Sequence, residues 1–224
     1  MGKITPSTVR GFIQAGGRSS RMGQDKAWLE VKGRRLIERV LAAAQPVVTD
    51  LAVIINAANP RAEDYRLLAA DWNARLIYDL QDHRGPLGGI QTALKHCLPH
   101  QSALILACDL PFLTSELLSR LRQIHGGSNL QSLISDPPLT PALIPEVTVP
   151  VDREGRWQPL AAIYAASCLP AVEQMLAEDL LKIEPLYQRV RTRQVRFPEI
   201  GDLPRADQFF LNLNTLDDYA PLRN

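Results

Sequence analysis

The chain has 224 residues, of which 46% are hydrophobic and 22% charged, and its formal net charge at pH 7 is +1. This balance is typical of a globular protein, and the nearly neutral charge argues against a broad basic surface for nucleic acid. The N-terminal segment lacks the apolar stretch of a signal peptide, and no apolar run reaches the ~18 residues of a spanning helix. We therefore expect a cytoplasmic protein that binds neither nucleic acid nor a membrane.

In the first half of the chain, short apolar runs alternate with segments that have apolar residues at helical spacing. The predicted strands are residues 10–15, 51–56, 75–79 and 103–108. The predicted helices are residues 34–45, 61–70, 86–97 and 114–124. This alternation predicts an α/β protein with a parallel sheet and right-handed crossovers.

The second half of the chain is less regular. Residues 126–159 are rich in proline and are interpreted as loops and short strands outside the central crossovers, where they could cover a substrate. Regular elements return as predicted strands at 159–165 and 193–197 and as predicted helices at 169–181, 184–190 and 204–210. Because no linker or repeat interrupts the sequence, we expect a single domain over residues 1–224.

Polar residues or glycines end or follow each of the four predicted strands in the first half. Gly16 and Gly17 follow the first strand, the second ends in Asn56, the third ends in Asp79, and Asp109 follows the fourth. Open α/β sheets bind ligands beyond the carboxyl ends of their strands, so this convergence predicts a polar ligand site. For Asn56 and Asp79 an alternative stays open, because each side chain could simply bond its own turn.

The loop AGGRSSRMGQDK after the first strand combines three glycines with Arg18, Arg21 and Lys26. Glycine lets the backbone approach a ligand closely, and successive N–H groups can then hold phosphate oxygens, whose charge the cations would neutralise. The loop is neither a Walker A sequence nor a GxGxxG motif. It predicts that a nucleoside triphosphate binds between Gly16 and Lys26, with a solvated surface turn as the alternative.

Two further segments suit such a ligand. Mg²⁺ usually takes one or two protein carboxylates and completes its shell with phosphate oxygens and water, so Asp109 is a candidate ligand, although it could equally cap the following turn. The segment HRGPLGGI at 83–90 predicts a helix N-terminus, which attracts anions, or simply a tight strand-to-helix turn. The cysteines and histidines, by contrast, show no spacing typical of a disulfide framework, a metal site or a catalytic triad.

Several motifs together resemble those of the molybdenum cofactor guanylyltransferases. The run IQAGGRSSRMGQDKAWLEVKG resembles the family signature, and later blocks follow in the family's order: RGPLGGIQTAL, LILACDLPFLT, RWQPLAAIY and FLNLNTLDDY. The match extends from residue 11 to residue 219, and the combination of blocks is much more specific than the first block alone. The resemblance implies a Rossmann-like, GT-A-type nucleotidyltransferase fold, in which helices flank a mostly parallel central sheet.

The resemblance also implies roles for residues on the nucleotide side. The residues expected to contact GTP are Gln14, Ala15, Gly16, Gly17, Lys26, Asn56, Asp79 and Asp109. Asn56 and Asp79 would hold the guanosine, and Lys26 the phosphates. Gln14 stands where leucine is usual in the family, so a more polar edge of the base pocket is expected.

The implied reaction joins GMP from GTP to the terminal phosphate of molybdenum-bound molybdopterin and releases pyrophosphate. The nucleophile is a phosphate oxygen that is already ionised near neutral pH, so no general base is required. Catalysis would come from alignment and charge neutralisation by Arg21, Lys26 and Asp109, with Mg²⁺ on Asp109 as the expected cofactor.

On the acceptor side, the resemblance implies that Gln158, Asn212 and Asn214 contact the pterin. Residues of about 9–125 would then form a nucleotide-binding half, and residues of about 126–224 an acceptor-binding half. The implied partners are GTP, molybdenum-molybdopterin, and the molybdoenzymes or chaperones that receive the product.

Three alternatives stay open. A related transferase could use CTP on the same pterin or a nucleoside triphosphate on a sugar phosphate, although Gly16-Gly17 and NLNT favour guanylyl transfer. A regulatory module could bind the nucleotide without catalysis, although Lys26 and Asp109 argue against it. An adaptor could deliver the pterin to partner enzymes without any need for Mg²⁺.

Overall fold

The computed structural model describes residues 8–15, 25–81, 84–126 and 144–213. Its strands are β1 (Thr8–Gln14), β2 (Glu30–Val31), β3 (Arg34–Arg35), β4 (Leu51–Ile55), β5 (Ala74–Tyr78), β6 (Gln101–Ala107), β7 (Val147–Pro150), β8 (Ala161–Ala165) and β9 (Thr192–Val195). Its helices are α1 (Leu36–Ala44), α2 (Ala62–Asp71), α3 (Gly85–Lys95), α4 (Ser115–His125), α5 (Leu169–Ala177) and α6 (Leu186–Arg189). Within these described residues, no helix is both long and apolar enough to cross a membrane.

Seven strands form one central sheet in the order β5-β4-β1-β6-β8-β7-β9. β1 pairs in parallel with β4 and β6, β4 pairs with β5, and β7 pairs with β9. β8 runs antiparallel to both of its neighbours, β6 and β7. The predicted mostly parallel α/β sheet is therefore confirmed, with β8 as the reversed strand among those that the structure describes.

Helices cover both faces of this sheet, as a mostly parallel sheet requires. Successive side chains of a strand point to opposite faces. Ile13 and Val53 accordingly join the apolar cluster formed with α1, α2 and α4, whereas Phe12 and Ile54 join the cluster formed with α3, α5 and α6. Because packing occupies both faces, the carboxyl ends of the strands remain as the place for a ligand.

A short hairpin that the sequence-based prediction does not contain lies between β1 and β4. β2 and β3 pair in antiparallel around Lys32 and Gly33, whose φ angles are 50° and 70°. Positive φ at both central residues is typical of a type I′ turn. Because the hairpin includes Arg34–Arg35, the helix predicted at 34–45 begins only at Leu36. The two additional strands also make the fourth predicted strand β6 in chain order.

The second half differs more from the prediction. One of the short strands expected within residues 126–159 is β7, but it lies inside the central sheet, because its four residues are buried and pair with β8 and β9. The helix predicted at 204–210 is wrong: Arg205 is left-handed, with a φ of 63°, and only a 3-10 turn at Ala206–Gln208 follows it. The helices predicted at 169–181 and 184–190 shorten to α5 and α6, and a left-handed Asp179 ends α5.

A buried histidine connects β6 and β7 across the intervening β8. His125 Nε2 lies 2.9 Å from Ser102 Oγ on β6, and His125 Nδ1 lies 3.0 Å from Thr148 Oγ1 on β7. Burial lowers the pKa of His125 to about 4. The ring is therefore neutral at physiological pH, and one of its nitrogens donates while the other accepts.

Candidate functional site

A cleft of about 680 Å³ opens at the carboxyl ends of β1, β4, β5 and β6. The predicted nucleotide contacts that line this cleft are Gln14, Ala15, Lys26, Asn56, Asp79 and Asp109. The structure thus brings together all of these contacts that fall within its described residues, in a volume usual for a small-molecule site. Gly16, Gly17, Arg18 and Arg21 lie outside the described residues, as do the other residues of the loop up to position 24.

Asp109 and Lys26 meet in this cleft. Lys26 Nζ lies 4.0 Å from Asp109 Oδ2, and the Asp109 side chain is 24% exposed. Burial raises the pKa of Asp109, and the charge of Lys26 partly offsets this shift. A carboxylate that is poorly solvated in this way is stabilised by a further cation on its open side.

The donors around Asp109 fit a metal ion that substrates help to hold. Within the described residues, no group of three or more His, Cys, Asp and Glu side chains could bind a metal by itself. Asp25 and Asp79 are further carboxylates that line the same cleft. One or two carboxylates, completed by phosphate oxygens and water, are a usual environment for Mg²⁺.

Tyr65 fixes both ends of the predicted phosphate loop. Its hydroxyl donates to Asp25 Oδ2 at 2.8 Å and lies 3.3 Å from the carbonyl oxygen of Ala15. Asp25 Oδ1 accepts the backbone N–H of Ala27 and caps the 3-10 turn Lys26–Trp28. The residues on either side of the loop are thus held by one fully buried side chain, and this contact positions Lys26 at the cleft.

Asn56 and Asp79 line the cleft in different ways. Asn56 Oδ1 accepts the backbone N–H of Ala58 at 2.7 Å, so this side chain also bonds its own turn, as the alternative interpretation held. Asp79 is instead held from another element: Thr92 of α3 donates its hydroxyl to Asp79 Oδ1 at 2.5 Å. The same hydroxyl accepts the backbone N–H of Leu80 at 3.1 Å, so Thr92 fixes both the carboxylate and the turn that carries it.

The GPLGG segment forms the first turns of α3 and lines the cleft as well. α3 begins at Gly85, whose φ of 59° is one that other residues rarely adopt. A Cβ at Gly89 would lie 2.5 Å from the side-chain nitrogen of Gln14, and that nitrogen lies 3.4 Å from the carbonyl oxygen of Pro86. The segment is therefore both a tight turn and a wall of the cleft, and its glycine leaves room for Gln14.

A second cleft of about 510 Å³ lies beside the first. Ala107, Asp109 and Leu160 line both clefts. Gln158 and Asn212, which the resemblance assigned to the acceptor, line the second cleft. Asn214 lies outside the described residues. Asp109 therefore stands at the boundary between the cleft with the predicted nucleotide contacts and the cleft with the predicted acceptor contacts.

Several residues of these clefts are not predicted from the sequence, although each carries a weak signal. Asp25 directly precedes Lys26 and could have been proposed as the cap of a turn. Thr92 is a hydroxyl residue among the buried residues of α3. Trp157, which lines the second cleft, is an aromatic residue beside Gln158 in the RWQPL block.

The sheet order, the cleft at the strand ends and the Lys26–Asp109 pair place the chain among the α/β nucleotidyltransferases. Residues 11–193 match the family model of the MobA-like NTP transferase domain. The chain is 33% identical over 211 residues to the molybdenum cofactor guanylyltransferase of Desulfosudis oleivorans, with 94% of this chain and 92% of that protein covered. It is 28% identical over 219 residues to the molybdenum cofactor guanylyltransferase of Vibrio cholerae, with 97% and 92% covered. The chain belongs to the MobA-like NTP transferase family, and the resemblance that its motifs indicated is confirmed.

Solved structures support the predicted fold. The molybdopterin-guanine dinucleotide biosynthesis protein A of Archaeoglobus fulgidus superposes with a TM-score of 0.72 at 22% identity, with 96% of each chain covered. The 4-diphosphocytidyl-2C-methyl-D-erythritol synthase of Anaerococcus prevotii superposes with a TM-score of 0.64 at 14% identity, with 97% of this chain and 95% of that chain covered. At these identities the likeness concerns the fold, and it confirms the predicted nucleotidyltransferase architecture.

Proposed function

We propose that this protein transfers GMP from GTP to molybdenum-bound molybdopterin, which yields the molybdopterin guanine dinucleotide cofactor and pyrophosphate. The observation that carries the proposal is that Asp109 borders both clefts. A group-transfer site must hold donor and acceptor in contact, and two clefts with a common wall suit that requirement. The relatives named as molybdenum cofactor guanylyltransferases indicate which two substrates to test.

In this proposal the first cleft binds GTP. The residues assigned to the nucleotide are Gln14, Ala15, Gly16, Gly17, Lys26, Asn56, Asp79 and Asp109. Asp79 can accept hydrogen bonds from the guanosine, and Thr92 holds its carboxylate in place. Arg21 and Lys26 carry the positive charge that the triphosphate requires. The N-terminus of α3, which lines the same cleft, favours an anion there.

The second cleft binds the acceptor in this proposal. Gln158 and Asn212 line that cleft, and Asn214 follows two residues beyond Asn212. The nucleotide-binding half would then comprise residues of about 9–125 and the acceptor-binding half residues of about 126–224. The two halves meet where Asp109 follows β6.

Catalysis would depend on alignment and charge. The acceptor phosphate is ionised at neutral pH, and no histidine lines either cleft within the described residues, which fits a reaction without a general base. Lys26, together with Arg21, would neutralise the charge that develops on the departing pyrophosphate. Asp109 would hold Mg²⁺, which supplies charge neutralisation for the phosphate oxygens.

Pyrophosphate release from each of the four nucleoside triphosphates tests the proposal, with and without molybdenum-loaded molybdopterin and with and without Mg²⁺. We expect release from GTP only when both the acceptor and Mg²⁺ are present. A preference for CTP, or release with a sugar phosphate as acceptor, would identify a related transferase instead. Nucleotide binding without release would identify a regulatory module, and tight pterin binding that needs no Mg²⁺ would identify an adaptor.

A further inference from the structure

The turn between β7 and β8, residues 151–158, is held in a defined conformation by its own hydrogen bonds. Val151 and Trp157 form a β-bridge. The backbone N–H of Asp152 donates to the carbonyl of Arg156 at 3.0 Å, and the backbone N–H of Gln158 donates to the carbonyl of Pro150 at 2.9 Å. Pairing of this kind continues the sheet beyond β7, so the side chains of the turn have fixed directions.

Asp152 is the centre of this turn. Its Oδ1 accepts the backbone N–H groups of Glu154 at 3.0 Å and Arg156 at 2.8 Å. Its Oδ2 accepts Arg156 Nε at 2.7 Å and Gln158 Nε2 at 3.1 Å. Burial alone would raise the pKa of Asp152, but these hydrogen bonds and the charge of Arg156 lower it. Asp152 is only 7% exposed. Both oxygens of its carboxylate therefore serve to fix the turn.

The turn contributes an aromatic residue and an amide residue to the lining of the second cleft. Trp157 and Gln158 both line it. The indole of Trp157 stacks on the ring of Tyr187 from α6, with 4.6 Å between ring centroids and 19° between planes. It also packs on the apolar cluster formed with α3, α5 and α6. Trp157 is thus held from one side by Tyr187 and from within the chain by the turn, and the residue borders the cleft.

We propose that Trp157 is the stacking surface for the flat, fused-ring heterocycle of the acceptor, and that Asp152 is a positioning residue that acts through Trp157 and Gln158. This inference rests on the proposed function, because it takes the second cleft as the acceptor site. Aromatic side chains bind flat heterocycles by stacking, and a ring that is already held in place loses little freedom when it does so. Gln158, whose Nε2 is directed to Asp152, is fixed beside that ring.

The arrangement predicts an effect on one substrate only. Neither Asp152 nor Trp157 lines the first cleft, which takes the predicted nucleotide contacts. A change in the turn should therefore weaken the acceptor and leave GTP unaffected. General loss of the fold would weaken both substrates, so the two KM values distinguish a positioning role from a merely structural one.

Tryptophan fluorescence and steady-state kinetics test the stacking surface, with molybdenum-loaded molybdopterin as the probe. We expect the pterin to quench the emission of the wild type and of Trp72→Phe, a matched variant whose lost ring lies on α2's C-terminal end. The quench should be lost in Trp157→Phe. Trp157→Ala should raise the acceptor KM about tenfold with the GTP KM unchanged. Trp157→Phe should raise the acceptor KM much less, because phenylalanine also stacks.

A pair of isosteric variants in the same turn tests Asp152. Asp152→Asn keeps an oxygen for the two backbone N–H groups but turns an NH₂ group towards Arg156 and Gln158, which are themselves donors. We expect the acceptor KM to rise about fivefold, which corresponds to the loss of one hydrogen bond, with kcat and the GTP KM unchanged. Glu154→Gln is the control, because the Glu154 carboxylate pairs with the exposed side chain of Arg156 in the same turn and the substitution keeps the backbone N–H that Asp152 accepts. It should leave both KM values unchanged.

The outcomes separate this inference from the proposed function. If Trp157→Ala has the acceptor KM of the wild type, the stacking surface is wrong while guanylyl transfer stands. If the pterin quenches Trp157 but no pyrophosphate is released, the stacking surface stands and the proposed function is wrong. If the wild type neither binds the pterin nor releases pyrophosphate, both are wrong. If Asp152→Asn raises the GTP KM as much as the acceptor KM, its role is structural and the positioning role is overturned.

Discussion

The two clefts that meet at Asp109 are built from different kinds of structure. The first lies at the carboxyl ends of four parallel strands, which backbone pairing holds in register. The second lies between the turn at 151–158 and the irregular segment that contains Asn212. Its geometry therefore depends on individual side chains such as Asp152, whereas the first cleft inherits most of its geometry from the sheet.

This difference determines how each cleft should respond to substitution. A change at a strand end removes one chemical group while the backbone around it stays in place. A change in the turn moves neighbouring groups, because its conformation is fixed by a few hydrogen bonds of a single carboxylate. We therefore expect losses of kcat from the shared wall and from Lys26, whose charge takes part in the reaction, and losses of affinity for one substrate from the other residues of either cleft.

Asp109→Ala should have the largest effect, because Asp109 belongs to both clefts. We expect turnover to fall on the order of a thousandfold, in keeping with the removal of a preorganised electrostatic group and a metal ligand. Since burial raises the pKa of this carboxyl, its ionised form destabilises the fold, and Asp109→Asn should keep or raise the thermal midpoint of the protein without substrates. Asp71→Ala, which removes an exposed carboxylate at the end of α2, is the control, and Mg²⁺-dependent turnover that survives in Asp109→Ala would contradict the metal role.

Lys26→Ala should come next, with turnover lowered on the order of a hundredfold because one positive charge facing the triphosphate is lost. The acceptor KM should change little, since Lys26 lines only the first of the two clefts. Lys182→Ala removes an exposed lysine far along the chain and should leave turnover unchanged. Turnover of Lys26→Ala near that of the wild type would show that the phosphates bind elsewhere.

Thr92→Val should act on the first cleft alone. It keeps the shape of the side chain but removes the hydroxyl that bonds Asp79 and Leu80. We expect the GTP KM to rise about fivefold, the value of one hydrogen bond, with the acceptor KM unchanged. Thr92→Ser keeps the hydroxyl and should restore the wild-type GTP KM; equal GTP KM values for the valine and serine variants would argue against a positioning role.

Gly89→Ala should have a smaller effect, because the group that its Cβ meets is the flexible end of Gln14. Gln14 must move within the cleft, and we expect the GTP KM to rise about threefold, somewhat less than a full hydrogen bond. Alanine is favoured over glycine inside a helix, so the thermal midpoint should not fall. When Gln14 is already replaced by alanine, Gly89→Ala should not raise the GTP KM further. A higher GTP KM in the double variant than in Gln14→Ala alone would exclude this explanation.

His125 should make the free energy of unfolding depend on pH in the acidic range, with no effect at neutral pH. His125 has a pKa lowered from 6.5 to about 4 in the fold, so the unfolded chain binds the extra proton between these two values. Protonation of His125 should leave the free energy of unfolding unchanged above pH 6.5. It should lower that free energy by about 3 kcal/mol as the pH drops towards 4. Urea unfolding across that range should show a shallower fall for His125→Gln than for the wild type, with the exposed His100→Gln as control.

The sequence predicts the first cleft better than the second for a physical reason. Asn56, Asp79 and Asp109 follow apolar runs, and parallel strands bring the ends of such runs to one edge. The partners that fix these residues are not local: Thr92 is 13 positions from Asp79, and Tyr65 is 40 positions from Asp25. No sequence pattern predicts that Thr92 bonds Asp79 or that Tyr65 bonds Asp25.

Local exceptions explain the errors in secondary structure. The strands β2 and β3 have two residues each, which is too short for a periodic pattern, and their turn places Lys32 at positive φ. The segment at 204–210 has helix-forming residues, but the left-handed Arg205 prevents a continuous helix. Trp157 and Asp152 lie in a segment whose proline content predicts loops, so their fixed arrangement became visible only in three dimensions.

In the proposed reaction, the position of Asp109 on the common wall links the binding of the two substrates energetically. Both are polyanions, and each meets the negative field of the same carboxylate when it enters its own cleft. A divalent cation that arrived with the nucleotide would compensate that field, and the phosphate of the acceptor would then encounter less repulsion. Linkage between binding free energies is reciprocal, so a bound acceptor should also tighten the binding of the loaded nucleotide, and the ternary complex should be favoured over either binary one.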